Sequence, residues 1–194
     1  MLQRPRPVFA ALRDDSDDAA SARQEPLLAV VLLAGIAGVL STNEAEQVLD
    51  DYEFDGLLLA VWAFLGGSIY GAVSYFLVGG LAYLGASFAG GIGSYRRARH
   101  VVGFAAVPLA VSLVVWPVRL AVFGEDGFRR GGSDRGAADA VFEAIEVGFL
   151  LWVLALLVVG LRTVHGWSWP RTLAAALLPA LLPALALARG YGLL

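Results

Sequence analysis

Few residues in this 194-residue chain have types and spacings that could do chemistry. Arg119, Glu143 and Glu146 are ionisable groups at the edges of long apolar runs. A charge in hydrocarbon is costly, so an ionisable residue in a membrane span is by default a candidate functional site. Glu143 and Glu146 lie one helical turn apart, and Arg119 lies near the end of the preceding run. The three could form a structural salt bridge or anchor their helices at the membrane surface. Acids are favoured near a helix N-terminus, and an arginine at a span end can snorkel to the headgroups. They could instead line a polar pathway for an ion or a solute. Acid/base catalysis has no accompanying nucleophile or metal cluster.

Other clusters fall short of a site. Asp51-x-Glu53-x-Asp55-Gly56 copies the start of an EF-hand loop, but its twelfth position is Trp62, and the segment runs into an apolar stretch. His100 and His165 are the only histidines and lie in different loops, so they make no zinc site. The chain has no cysteine, hence no disulfide framework and no thiolate ligand. No phosphate-binding glycine loop, catalytic triad or HExxH motif is present. No catalytic, cofactor-binding or metal-binding residue is expected, and no cofactor. A net charge of −3, without basic stretches interleaved with aromatics, gives no reason to expect nucleic acid as a partner. All basic residues are arginine, which reads as a habit of the source genome.

The elements that would position these residues are long and apolar. Hydrophobic residues make up 58 % of the chain, more than a soluble domain of this size needs to bury. A helical span needs roughly 20 apolar residues. Five runs qualify or nearly so, at 26–42, 57–91, 101–123, 141–161 and 170–189. The expected fold is therefore all-α, a polytopic membrane protein with a five-helix transmembrane bundle in the lipid bilayer. Residues 1–25 form a polar tail, in which Pro7–Arg13 could make a short interfacial helix with Val8, Phe9 and Leu12 on one side. Residues 190–194 form a short C-terminal end. The first run resembles a signal-peptide core, but its long acidic preceding tail and the lack of a clean cleavage site favour a retained helix.

The second run has neither charge nor proline. As one helix it would be about 52 Å long, so it must tilt or project beyond the bilayer. A break at Gly79-Gly80 is the alternative. Ala63, Gly67, Gly71 and Gly79 recur at multiples of four along it, a stripe that lets another backbone approach closely. Packing within the bundle is the first reading of this stripe, homodimerisation the second. The third run contains Pro108 and Pro117, whose freed backbone groups need partners on neighbouring helices. Pro170 suits the first turn of the fifth helix. Pro179 and Pro183 lie four apart on one face of it.

Arginine placement sets the expected orientation. Arg4, Arg6, Arg13, Arg23, Arg96, Arg97, Arg99, Arg162 and Arg171 fall on one side, and Arg119, Arg129, Arg130, Arg135 and Arg189 on the other. Nine against five puts the N-terminus in the cytoplasm and the C-terminus outside. The loop 43–56, with six acids and no base, then lies outside.

Two segments carry a recognisable pattern. One is Gly90-Gly91-Ile92-Gly93-Ser94-Tyr95-Arg96-Arg97, continuing through Val102 to Pro108. The other runs from Leu154 to Leu161 and on through Arg162-Thr163-Val164-His165-Gly166-Trp167-Ser168. With the opening Arg6-Pro7-Val8-Phe9-Ala10-Ala11-Leu12, the chain resembles the bacterial branch of the Ypt-interacting-protein (Yip) domain family. That resemblance implies a five-helix membrane bundle with a cytoplasmic N-terminus, in a bacterial cytoplasmic membrane. Eukaryotic members are linked to small-GTPase-dependent vesicle traffic and carry an Asp-Leu-Tyr-Gly-Pro motif before the first span. Here Arg23-Gln24-Glu25-Pro26 stands in that place, so the GTPase partner is not carried over and the protein partner is open. The expected function is a non-enzymatic membrane scaffold or interaction protein, homo-oligomeric if the glycine stripe pairs between copies. The alternative is a small carrier, channel or lipid-moving protein with a polar pathway between the third and fourth spans.

Overall fold

A computed structural model describes residues 4–42, 45, 56–91, 93–129 and 136–190. Every regular element among them is helical. The acidic loop and its EF-hand-like Asp51, Glu53 and Asp55 lie outside the described residues, as do Arg130 and Arg135.

A short helix, α1 (Pro5–Ala11), precedes the bundle. The first run lies in α2 (Asp17–Leu40), which begins well before Pro26. Ser16 accepts a bond from the Ala19 amide at 3.4 Å, and Asp17 and Asp18 fill the first turn, where the helix dipole favours acids. With α1, most of the supposed tail is thus helix. The second run is one unbroken helix, α3 (Gly56–Phe88). Two of its serine hydroxyls are absorbed internally: Ser68 donates to the Phe64 carbonyl at 2.6 Å and Ser87 to the Tyr83 carbonyl at 2.8 Å. It ends in a Schellman motif, with the Gly91 amide on the Ala86 carbonyl and the Gly90 amide on the Ser87 carbonyl. Gly90 adopts a φ of 75°, which explains a glycine at that point.

The third run is segmented. Ser94 caps α4 (Tyr95–Ala105). Then come α5 (Val107–Ser112), a 3₁₀ turn (Leu113–Val115), α6 (Trp116–Phe123) and a second 3₁₀ turn (Gly124–Phe128). Pro108 and Pro117 each sit in the first turn of a new segment, where the missing N–H is least missed. The fourth run is α7 (Ala137–His165), stopped by Gly166 in a left-handed conformation. The fifth is α8 (Trp169–Gly190).

Four of these stretches are long and apolar enough to cross a membrane: α2, α3, the run from α4 through the second 3₁₀ turn, and α7. The apolar part of α8, Trp169–Leu185, is shorter. The chain is a polytopic helical bundle. The outward face of α3 exposes Leu65, Ile69, Val73 and Phe76, a surface that water would not tolerate and lipid does.

Glycines set the spacing around α3. A Cβ on Gly67 would lie 2.5 Å from Ile36 Cα, and one on Gly71 would lie 2.5 Å from the Val31 carbonyl oxygen. Gly35 of α2 faces them, with room for nothing but hydrogen. Gly79 gives way to the Arg99 side chain of α4, and Gly85 to the Ala175 carbonyl of α8. Pro179 cannot donate to that Ala175 carbonyl, and Gly85 lets the α3 backbone pack directly on it. Ala63 packs with Leu40, Leu59 and Phe128. Within the chain the stripe packs against α2, α4 and the second 3₁₀ turn, and Gly85, beyond it, packs against α8. Gly67 and Gly71 are buried against Ile36, Val31 and Gly35 of α2.

Candidate functional site

The three segments quoted for the family pattern are far apart in sequence and meet at one end of the bundle. Phe9 and Leu12 are fully buried in a cluster with Val101, Leu156, Leu157 and Leu161. Gly160 makes the space, since a Cβ there would come within 2.8 Å of the Phe9 ring. The expected interfacial helix is instead a docked one, its two large apolar side chains sealed by α4 and α7.

Polar bonds fasten the same segment. Arg13 donates through Nε and Nη2 to the Thr163 carbonyl at 3.1 and 2.6 Å. That carbonyl belongs to the last turn of α7, where backbone oxygens lack helical partners and the dipole favours a cation. Arg97 donates to the Arg13 carbonyl at 3.1 Å. Asp15 sits at the N-terminus of α4, where it accepts from the Ser94 hydroxyl and from Arg96 Nε at 3.1 Å. Arg96 also pairs with Asp17 at 2.6 Å, but Asp17 is almost fully exposed and that pair is worth little.

Burial alone would raise the Asp15 carboxyl. The Ser94 bond, the Arg96 bond and the charges of Arg96 and Arg97 outweigh it and hold the group below its ordinary range. A depressed carboxylate contributes stability above its unfolded pKa and loses it as pH falls through the folded one. Docking of α1 is therefore constant through neutral and mildly acidic pH and weakens only in stronger acid. Asp15→Asn weakens it already at neutral pH, by about 2 kcal/mol, the scale of a hydrogen bond to a charge. The emission of a fluorophore on Ala11→Cys, a unique thiol in this chain, follows the release. An unchanged spectrum in Asp15→Asn would mean that Phe9 and Leu12 hold α1 alone.

The hinge between α7 and α8 completes this end. The His165 ring stacks on Trp167 at 4.1 Å. Arg162 lies over Trp169, and Arg171 over Trp167. Arg171 donates to the Ala89 and Gly90 carbonyls at 2.6 and 3.0 Å, tying the hinge to the end of α3. Arg99 is held among Tyr75, Phe76 and Tyr95. Sequence reading missed this cation–π cage. Its signal was Gly79, which makes room for the arginine's stem. The cleft between Gly93, Arg97 and His165 holds only about 10 Å³, no more than one water requires.

Arg119 occupies the opposite end and is only 7 % exposed. It reaches Glu146 at 3.3 Å and Asp139 at 3.4 Å, and lies over Trp116. Of the expected trio, the structure joins Arg119 to Glu146 and leaves Glu143 exposed, in no ion pair among the described residues. Asp139 takes the third place. It is seven residues before Glu146 and so on the same helical face. His100 is buried on α4 and His165 lies in the hinge. No group of three potential metal ligands occurs among the described residues.

A membrane-embedded helical bundle with an arginine-rich junction at one end is thus defined by structure alone. The Yip1 domain model matches residues 1–189, and the chain belongs to that family. This bears out the resemblance over nearly the whole chain. No curated protein and no solved structure matches it. The Yip1 family is not a known enzyme family.

Proposed function

We propose that this Yip1-domain protein is a non-enzymatic scaffold or interaction protein of a bacterial cytoplasmic membrane. Its arginine-rich end and N-terminus face the cytoplasm, in keeping with the excess of arginine there. One observation carries the reading. Three distant segments are bonded into a single fixed polar surface, built from Arg13, Asp15, Arg96 and Arg97, outside the apolar belt. Such a surface is suited to recognition by another protein.

The carrier or channel reading rests on Arg119, a buried cation with two carboxylates in a span. Proteoliposomes separate the two. The scaffold reading expects ion leak and lipid scrambling equal to those of protein-free vesicles. Flux above that background, lost in Glu146→Gln, would overturn it in favour of the carrier.

A further inference from the structure

The seam between α3 and α8 opens outward into a groove of about 390 Å³, lined by Gly85, Phe88, Ala89, Ala174, Leu177 and Leu178. Every one of these residues is apolar. Arg171 lies outside this lining, one turn before Ala174 on α8. Arg171 holds the carbonyl of Ala89, itself a groove residue. No carboxylate pairs with Arg171 among the described residues. Its partners are two carbonyl dipoles and the Trp167 ring, which orient the guanidinium without neutralising it. Those bonds use two of its five N–H donors. Trp169, half exposed two residues earlier, suits the headgroup level of a bilayer. Of the acids at this end, Asp15 and Asp17 are engaged by Arg96 and Arg97, Asp14 accepts from the Ser16 amide, and none of Asp14, Asp15, Asp17 and Asp18 forms an ion pair with Arg171 among the described residues.

An apolar groove at acyl depth therefore adjoins an unneutralised arginine at headgroup depth. We propose that the α3–α8 groove holds one acyl chain of an anionic phospholipid whose phosphate rests on Arg171. Charge complementarity selects the anionic class, because a zwitterionic headgroup would bring its own cation to the same place. This site is independent of whether the protein is a scaffold or a carrier.

Native mass spectrometry of the full chain in detergent, with added phosphatidylglycerol or phosphatidylcholine, tests it. The wild type should retain one phosphatidylglycerol, about fivefold more readily than phosphatidylcholine, as expected for one arginine near an anionic group. Arg171→Gln keeps donors for the two carbonyls and should lose that preference while still taking lipid. Ala174→Trp fills the groove from an exposed position and should lose both lipids. A thermal melt confirms that each variant is folded. Equal phosphatidylglycerol retention in wild type and Ala174→Trp would overturn the site, as would a wild type indifferent to headgroup. A dimer that Ala174→Trp abolishes would assign the groove to a second copy instead.

Discussion

Gly67→Leu should leave little folded protein to purify. Its Cβ alone would sit 2.5 Å from Ile36 Cα and 2.7 Å from the Ile36 amide nitrogen. Backbone atoms cannot swing aside as a side chain can, so α2 and α3 must separate along their seam. Overpacking typically costs 1–3 kcal/mol, and a contact this close with backbone belongs at or above the top of that range. Natural folds have only about 5–15 kcal/mol to lose. Gly148→Leu is the control. Nothing lies within 4 Å of a Cβ at Gly148, and its leucine would add one more apolar group to an exposed helix face. Size-exclusion profiles and thermal melts in detergent should show Gly67→Leu aggregated or sharply destabilised and Gly148→Leu close to wild type. A Gly67→Leu protein that folds normally but loses a crosslinked dimer would return the stripe to an interface between copies.

Arg119→Leu should cost about 3–5 kcal/mol, the usual penalty for removing one partner of a buried ion pair. The damage comes from what remains. Asp139 and Glu146 side chains are only 22 % and 28 % exposed, and both would face a site without a cation. Neutralising them in the same protein, as Asp139→Asn and Glu146→Gln, should recover most of the loss. Glu146→Gln alone should be mild, because Asp139 still holds the guanidinium. Melting temperatures of the single, double and triple variants check this by non-additivity. Equal melting of the single and triple variants would mean that the carboxylates reach water and never depended on Arg119.

Much of this architecture is visible in the sequence. The apolar runs mark the helices, and the close approach along Ala63, Gly67, Gly71 and Gly79 follows from residue size. The partner in that approach does not follow, because a small-residue stripe says that a backbone comes near and not whose it is. Gly35 and Gly38 in the first run held the answer as a matching stripe. Asp139 was missed for a simpler reason. Hydropathy starts the fourth helix at Val141, whereas the backbone is helical from Ala137, and those extra residues put Asp139 on the Glu146 face. The prolines of the third run were expected inside one helix, yet each opens a new segment, because a ring without N–H is cheapest in a first turn. The docking of α1 was hidden because Phe9 and Leu12 look alike whether they face lipid or protein. Their pocket exists only after α4 and α7 have packed.

That pocket also dictates an order of assembly. The Arg13–Thr163 bond joins residues 150 positions apart, and Phe9 closes on the same stretch of α7. During synthesis the α1 segment must wait for a stretch made 150 residues later. Until α7 has entered the membrane, Phe9 and Leu12 have no protein to cover them and must rest at the lipid surface or on a chaperone. Long-range closures of this kind come late and leave apolar surface exposed in the meantime. The α1 segment is thus a late latch of the fold, and a chain truncated before Thr163 would emerge with that latch open.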